Sequence, residues 1–361
     1  MSLARISAAI ALALSLASAC AKKADGAPQY AADQCRRVAI IDAATGEEVI
    51  GAEDLAFDAA GASILISAYD RRRAERDARR GAFDVAEGGI YAAPLAALAG
   101  GETTLTLPSI VARETVAGGL RPHGIAFDAR RREILFVNRA YQKIDRKWRM
   151  TPRIERAGPD ATALIGDGGD PRCSANDVAI LGDATLVSFD HAACGWRAGL
   201  EDLTALRASG VETADGARLF EGVGHANGVA VLPTGEIALA ATRDQAIFML
   251  SGKGEEFSVV RRIDLPGAPD NLTVAADGMI VAALHPALLG IGAQRRLGLG
   301  RAGSRIVRVD PLNGATELLF DDASGETFAA ATAAVEAQGL LVIGSVLDRG
   351  LLVCDSGAQA P

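Results

Sequence analysis

Aromatic side chains are scarce in this 361-residue sequence, and basic residues are outnumbered by acidic ones. Phe, Trp and Tyr together make up 4% of the residues, although hydrophobic residues make up 49%. A large core must therefore be filled mainly by Val, Ile, Leu and Ala. Lys and Arg number 37 against 45 Asp and Glu, which gives a formal net charge of -8. This balance argues against a nucleic-acid partner and suits a cationic ligand.

Long apolar runs are also missing beyond the N-terminus. The uncharged run at residues 6–19 follows Arg5 and is too short to span a bilayer, which is typical of a secretory leader. We predict a signal peptide at 1–19, a flexible tether at 20–34 and one folded domain at 35–361. Cys20 closes the stretch LASAC, which resembles a bacterial lipoprotein signal. Lipidation of Cys20 and plain cleavage before it both stay open, and both predict export to the cell envelope or periplasm.

Five cysteines are present, and four remain if Cys20 is lipidated. Four cysteines allow three disulfide connectivities, which the sequence alone does not distinguish. Pairing Cys35 with Cys354 would join the two ends of the mature chain, and Cys173 could then pair locally with Cys194. Four reduced thiols are the remaining alternative, which an exported chain makes less favourable.

Short stretches of one pattern recur along the chain and indicate an internal repeat. Each opens with a polar residue, carries apolar residues at its third and fifth positions, and has Ala or Thr at the fourth. Successive openings are 70, 53, 51 and 43 residues apart, close to the length of a four-stranded propeller blade. A degraded sixth copy surrounds Thr332. The five clear copies are EDLAF from Glu53, HGIAF from His123, NDVAI from Asn176, NGVAV from Asn227 and DNLTV from Asp270.

Each copy continues through a turn into a second apolar strand, as in VAVLPTGEIALAAT, which predicts a hairpin. Third strands are visible in some repeats, for example in AIFMLSG from Ala246. Six copies of up to four strands predict an all-β, six-bladed β-propeller. A row of β-sandwiches is the alternative, but the near-equal spacing favours a closed ring.

Two stretches lie outside the repeat pattern. The one from Asp70 is charged and helix-prone, and we expect it to be a solvated insertion. The one from Gly290 is rich in glycine but lacks the sequence context of a phosphate loop.

The residues that open the five copies should meet at one end of the ring, because the first strand of each blade lies against the central axis. Carboxylate and amide oxygens are the ligands that Ca²⁺ prefers. Asn followed by Gly or Asp is also an ordinary turn sequence, so each opening taken alone favours turn chemistry. Five openings in one register favour a shared metal site instead. The sequence has only four histidines, and His123 is itself an opening residue, which makes it the best candidate for a general base.

The ordered motifs together resemble the paraoxonase (arylesterase) family, within the wider group of calcium-dependent gluconolactonase-like propellers. The matching segments are GAEDLAF, RPHGIAFD, NDVAI followed by SFDH, HANGVAVLPTG, PDNLTV followed by LHP, and LLVIGSVLDRGLLVC. The resemblance runs from about Cys35 to Cys354. It implies a six-bladed propeller with two calcium ions that hydrolyses lactones and aryl esters.

The resemblance also assigns roles to individual residues. It makes His123 the catalytic histidine and pairs Cys35 with Cys354. It implies a catalytic calcium and a structural calcium deeper in the ring, the second held partly by the backbone carbonyl of Ile125. The implied ligands are Glu53, Asn176, Asn227, Asp270 and Asn271 for the catalytic ion, and Asp54, Asp177 and Ile125 for the structural ion.

One position departs from the family. Where the family places a second histidine to support the first, this chain has Arg139, and an arginine does not relay a proton at ordinary pH. His191 and His285 are candidates for the pocket lining together with Arg139. The predicted reaction is hydrolysis of a lactone or aryl ester, in which calcium polarises the carbonyl and His123, or Asp270, deprotonates water. The alternative is a calcium-stabilised binding module of the cell envelope with little or no activity, attached to the membrane through Cys20 alone.

Overall fold

The computed structural model describes residues 24–158, 162–164, 173–254 and 256–356. Strands dominate this part of the chain, which confirms the expected all-β class. The strands are β1 (Cys35–Asp42), β2 (Ile50–Asp58), β3 (Ser63–Ala68), β4 (Gly89–Pro94), β5 (Thr104–Leu107), β6 (Pro122–Asp128), β7 (Glu133–Ile144), β8 (Lys147–Ala157), β9 (Thr162–Leu164), β10 (Ala175–Leu181), β11 (Ala184–Phe189), β12 (Ser209–Thr213), β13 (Arg218–Val223), β14 (Ala226–Val231), β15 (Ile237–Ala241), β16 (Ala246–Lys253), β17 (Glu256–Asp264), β18 (Ala268–Val274), β19 (Ile280–His285), β20 (Ser304–Val309), β21 (Thr316–Asp322), β22 (Ala331–Ala337), β23 (Leu340–Arg349) and β24 (Leu351–Asp355).

Short helices interrupt the strands. The segment expected as a solvated insertion is a helix, begun by the Asp70 side chain, which accepts a hydrogen bond from the backbone N–H of Arg73, and ended by Gly81 in the left-handed conformation. Two 3-10 turns lie at Ala32–Gln34 and Arg113–Thr115. None of the helices in the described ranges has the length and apolar character that crossing a membrane requires. The α-helices are α1 (Arg71–Arg80), α2 (Leu95–Ala99), α3 (Trp196–Thr204) and α4 (Leu288–Leu297).

The strands form four sheets of four strands and one sheet of eight. Each four-stranded sheet uses consecutive antiparallel strands: β6 to β9, β10 to β13, β14 to β17, and β18 to β21. The eight-stranded sheet has the order β4-β3-β2-β23-β24-β1-β5, with β22 paired to β23. Only two residue pairs join its halves across β2 and β23, Ile50 with Arg349 and Ala52 with Ser345.

The first strand of each repeat contacts the first strand of the next. These contacts run from β2 through β6, β10, β14 and β18 to β22, and β22 contacts β2 again. Hydrophobic side chains fill the spaces between neighbouring sheets. Ile90 of β4 and Phe136 of β7 share one cluster, and Val211 of β12 and Leu239 of β15 share another. The sheets therefore stack face to face around a closed circuit of six inner strands.

The two ends of the chain meet in the eight-stranded sheet. β1 pairs antiparallel with β24, and Cys35 lies opposite Cys354 and forms a disulfide with it, which is the pairing that the resemblance implies. The second disulfide joins Cys173 to Cys194. The N-terminal strand thus completes a sheet begun by the last three strands.

Part of the predicted tether is in contact with the fold. The backbone N–H groups of Gln29 and Tyr30 donate to the carbonyls of Leu318 and Leu319 in β21, and Tyr30 is buried. This end of the segment therefore packs against the last repeats. The predicted signal peptide and Cys20 lie outside the described residues.

Removing the disulfide between the chain ends should destabilise the protein more than removing the local one. The Cys35–Cys354 bond closes a sequence separation of 319 residues, against 21 for Cys173–Cys194. Loop-closure entropy then predicts losses of about 6 and about 3 kcal/mol for the paired Cys→Ser variants. Urea unfolding of both variants checks the order, with thiol titration of the wild type as a control for oxidation. Equal losses would contradict the expected dependence of the stabilisation on loop length.

Candidate functional site

A bulge occurs in every inner strand at the position where the repeat opens. In each of the six pairings between a first and a second strand, the register shifts across the opening residue. In β10, for example, the pairing passes from Ala175 directly to Val178. A bulge leaves residues out of the ladder and re-aims their side chains. The turn-like residues therefore recur because each inner strand needs a bulge at the same level of the ring.

From one repeat to the next around the ring, the residue directly after the opening residue is alternately Asp or Asn and a small residue. Asp54, Asp177 and Asn271 are separated around the ring by Gly124, Gly228 and Ala333. A Cβ on Gly124 would lie 2.4 Å from the Cα of Asp177, and one on Gly228 would lie 2.6 Å from the Cα of Asn271. Only glycine allows the inner strands to approach so closely at these two positions.

The two aspartates use this space to bond to the next inner strand. Asp54 accepts from the backbone N–H of Ile125 at 2.7 Å, and Asp177 accepts from that of Val229 at 2.8 Å. Each also accepts from the N–H of its own successor, Leu55 and Val178. These bonds tie β2 to β6 and β10 to β14 across the centre of the ring.

The carboxyl groups of Asp54 and Asp177 also face each other closely enough to hydrogen-bond. Burial, followed by the charges of Asp177 and Glu53, raises the pKa of Asp54 well above its usual range. Burial likewise raises the pKa of Asp177 to about 8. Two adjacent buried carboxyls need a shared proton or a cation between them. Carboxylate oxygens of this kind fit the implied structural calcium. Ile125 contacts Asp54 through its backbone N–H, whereas the resemblance implies its carbonyl as a ligand.

Glu53 and His123 form the first half of the candidate catalytic site. Glu53 Oε2 lies 2.9 Å from His123 Nδ1, but the angles do not make a hydrogen bond, so both atoms are buried without a hydrogen-bond partner. The Asn271 amide donates to the backbone carbonyl of Glu53 at 3.1 Å, and the Thr332 hydroxyl donates to the same carbonyl at 2.7 Å. Residues from β2, β6, β18 and β22 are thereby in contact.

Asp270 forms the second half. Its Oδ1 accepts from the Asn227 amide at 2.6 Å, and its Oδ2 lies 2.8 Å from Nε2 of His285. Thr242 fixes this arrangement, because its hydroxyl donates to the carbonyl of Pro269 and lies 3.3 Å from the Asn227 amide nitrogen. Of the three pocket candidates, His285 is therefore in direct contact with a predicted metal ligand.

Unpartnered oxygens test whether these residues fit a metal. Among the buried side-chain oxygens without a hydrogen-bond partner are Oε2 of Glu53 and Oδ1 of three asparagines: Asn176, Asn227 and Asn271. These are four of the five predicted ligands of the catalytic calcium. A buried polar oxygen without a partner costs about 1–3 kcal/mol, which a bound cation would recover. The donor set is all oxygen and fits a hard cation such as Ca²⁺.

His123 is held in its neutral form. Burial, together with the charges of Arg139 and Arg71, lowers its pKa to about 4, against the opposing effect of Glu53. A neutral imidazole at ordinary pH can accept a proton, as a general base must. Arg139 thus lies near the predicted base, although it is not the histidine that the family pattern places there.

His191 belongs to a separate contact. Its Nδ1 lies 2.6 Å from Asp190 Oδ1, and its ring meets the ring of His225 edge to face, with centroids 5.1 Å apart. Burial opposes ionisation of Asp190, but the hydrogen bond from His191 and the charge of His225 hold its pKa below its usual range. Asp190 and Arg139 also interact electrostatically, so this cluster borders the side of the site that Arg139 occupies.

Sequence reasoning missed several members of the site. Thr332 was visible as the opening of the degraded repeat, but its bond to Glu53 was not. Thr242, Asp190 and Arg71 lie outside the repeat pattern, at the ends of second strands or in the helix after β3. The spacing of the repeats therefore does not predict that these three residues belong to the site.

Comparisons with known proteins bear on the fold. No protein-family model and no curated protein sequence matches the chain. A solved structure of a candidate gluconolactonase matches with 14% identity and a TM-score of 0.50, over 94% of this chain and 95% of that one. A gluconolactonase from Xanthomonas campestris matches with 17% identity and a TM-score of 0.51, over 93% and 97%. A Bacteroides thetaiotaomicron protein of unknown function matches with 10% identity and a TM-score of 0.50, over 88% and 74%.

These likenesses show the class of fold. The chain shares its all-β architecture with gluconolactonase structures over almost its whole length. Identities of 17% and below carry no statement about substrate or residues.

Calcium should stabilise the protein through the unpartnered oxygens. At about 100 times its dissociation constant, it would add about 2.7 kcal/mol, seen as a rise in Tm over chelator-treated protein. Asn176→Ala should reduce this rise, because the variant lacks one of the unpartnered oxygens. Loss of a hydrogen bond does not contribute, since Asn176 makes no described side-chain hydrogen bond. Asn138 is the matched control: it is a buried amide that bonds Arg121 and Gly119 instead. Asn138→Ala should lower Tm with and without calcium but keep the rise, and an equal rise in both variants would argue against the site.

Proposed function

We propose that the protein is a calcium-dependent hydrolase of lactones or aryl esters with a six-bladed propeller fold, related to the gluconolactonase-like and paraoxonase-like enzymes. The blade count interprets the eight-stranded sheet as two blades, one of β2 to β4 and one of β22 to β24 with β1 and β5. The proposal rests above all on the buried unpartnered oxygens of Glu53, Asn176, Asn227 and Asn271 beside a neutral His123. The shared fold of the gluconolactonase structures supports it.

A calcium ion held by these oxygens would act as a Lewis acid toward the carbonyl of the substrate. Glu53 Oε2 lies 2.9 Å from Nδ1 of His123, so an ion held by Glu53 would lie beside the imidazole. His123, neutral above about pH 4, accepts the proton of the attacking water. Asp270 is the second candidate base of the proposal, but its contacts with Asn227 and His285 favour a positioning role.

A second function is favoured by one observation. A cavity of about 850 Å³ lies beside α1 and is lined by Tyr141, Trp148, Lys143 and Arg121, away from the repeat openings. Such a cavity suits a binding module whose calcium is structural. In that case the protein should bind a ligand there and show no turnover.

Hydrolysis should depend on the metal and on Asn227. We expect the oxidised protein to hydrolyse a δ-lactone or phenyl acetate in calcium, and to lose this activity in EGTA. Asn227→Ala should abolish turnover, because it removes one unpartnered oxygen and the amide that bonds Asp270. The matched control is Asn313→Ala in the exposed turn after β20. Circular dichroism checks that both variants fold. Equal wild-type rates with and without EGTA would reject the hydrolase.

Replacing the general base should slow the reaction and change its pH profile. His123→Gln should lower kcat by about 10²- to 10⁴-fold, the range that general-base catalysis contributes. Protonation of His123 should appear in the wild type as an acidic limb of kcat/KM near pH 4. This limb should vanish in the variant. A variant with the full wild-type rate would move the role of base to Asp270.

A further inference from the structure

Three arginines from separate elements lie near enough for their charges to act on one another, and two of them, Arg139 and Arg71, also act on His123. Arg139 lies on β7, Arg71 begins α1, and Arg295 lies in the last turn of α4. The charge of Arg71 is the largest cause that lowers the pKa of Arg295, to about 10, and it also lowers the pKa of Arg139 after burial. We call these three residues the arginine cluster.

Arg139 differs from the other well-buried arginines of the described chain. Arg305 is paired twice with Asp321, and Arg121 donates to three backbone carbonyls. Arg113 bonds Asp42. Arg139 is 5% exposed, has no salt bridge among the described residues, and its Nε is buried without a hydrogen-bond partner. A buried cation left in this state is costly unless an anion completes it.

Three carboxylates act on the three arginines, but each of them is shared with another group. Arg71 and Arg295 share a single carboxylate oxygen, Oε1 of Glu75, at 3.3 Å from each. Glu53 and Asp190 are the other acidic groups whose charges act on both Arg71 and Arg139. If calcium occupies the candidate site, Glu53 is neutralised by the ion, and Asp190 is already bonded to His191. The cluster then carries an excess of positive charge that faces the same site as His123.

We propose that the arginine cluster binds an anionic group of the substrate, so that the preferred substrate is a lactone or ester that carries a carboxylate or phosphate away from the bond that is cleaved. This inference rests on the proposed function. Guanidinium groups bind such anions through paired, charge-assisted hydrogen bonds, which gives orientation as well as affinity. Arg139 provides the buried contact, and Arg71 and Arg295 close over the group from the two helices. The arginine at the position of the family's second histidine thereby sets specificity.

Matched substrates test the proposal. A δ-lactone with a carboxymethyl substituent is compared with its methyl ester, and a phosphate-bearing lactone with its dimethyl ester, all with calcium present. We expect kcat/KM to be about 10- to 100-fold higher for the charged member, the effect of one or two hydrogen bonds to a charged group. The larger ratio identifies carboxylate or phosphate as the better ligand. Equal kcat/KM within both pairs would overturn the proposal and leave the lactonase intact.

Variants assign the effect to the cluster. Arg139→Gln should lower the charged-to-neutral ratio toward one, and Arg139→Lys should restore it in part. Arg80→Gln is the matched control, since Arg80 is an exposed arginine of α1, and it should keep the wild-type ratio. An equal fall for both substrates in Arg139→Gln would instead assign Arg139 to the developing oxyanion and reject anion recognition.

Binding without turnover separates this proposal from the proposed function. Succinate and inorganic phosphate, titrated calorimetrically into the calcium-loaded protein, should bind the wild type and Arg80→Gln, and should bind Arg139→Gln at least about tenfold more weakly. If no lactone or ester is hydrolysed but this difference in binding is found, the hydrolase is wrong and the anion site stands. If neither anion binds and no charged substrate is preferred, the anion site is wrong.

Discussion

Two buried carboxyl groups, those of Asp54 and Asp177, bond the inner strands to one another at the centre of the ring. Asp54 and Asp177 face each other among inner strands that pack so tightly that Gly124 and Gly228 leave no room for a Cβ. Their oxygens bond to backbone N–H groups of the next strand, so they connect the repeats as well as fill the axis. Charge that cannot be solvated there must be neutralised by a proton or a cation. The neutralisation of these two carboxyls therefore affects the closure of the ring as well as the binding of a cation at its centre.

The same packing explains why the candidate site lies where it does. Because each inner strand has a bulge at one level, the residues that open the repeats leave the ladder together. Glu53 and His123 then meet from neighbouring strands, and Asn227 meets Asp270 in the same way. These groups lie on the inner strands of a ring whose chain ends are joined by a disulfide. This arrangement suits a site whose oxygens must be in position before a ligand arrives.

Much of this could be predicted from the sequence because the signal is periodic. The repeated openings located the inner strands, their common register and the residues that carry oxygen toward the axis. The alternation of Asp or Asn with Gly or Ala after each opening was also present in the sequence, but its meaning depends on distances between strands far apart in the chain. Residues outside the period, such as Thr242 and Asp190, gave no local sign. Helix α1 was visible as a helix-prone segment, whereas its packing against β8 and β23 depends on the tertiary structure.

Arg139 shows what a departure from a pattern can mean. Judged from the sequence, it replaces a proton-relaying histidine and weakens the case for catalysis. In the structure its charge helps to lower the pKa of His123, which keeps that imidazole neutral without a second histidine. Its buried guanidinium is acted on by the charges of Arg71, Asp190 and Glu53, and Arg71 acts in the same way on Arg295. An arginine at this position therefore changes the electrostatics around His123 and does more than remove a histidine from the pattern.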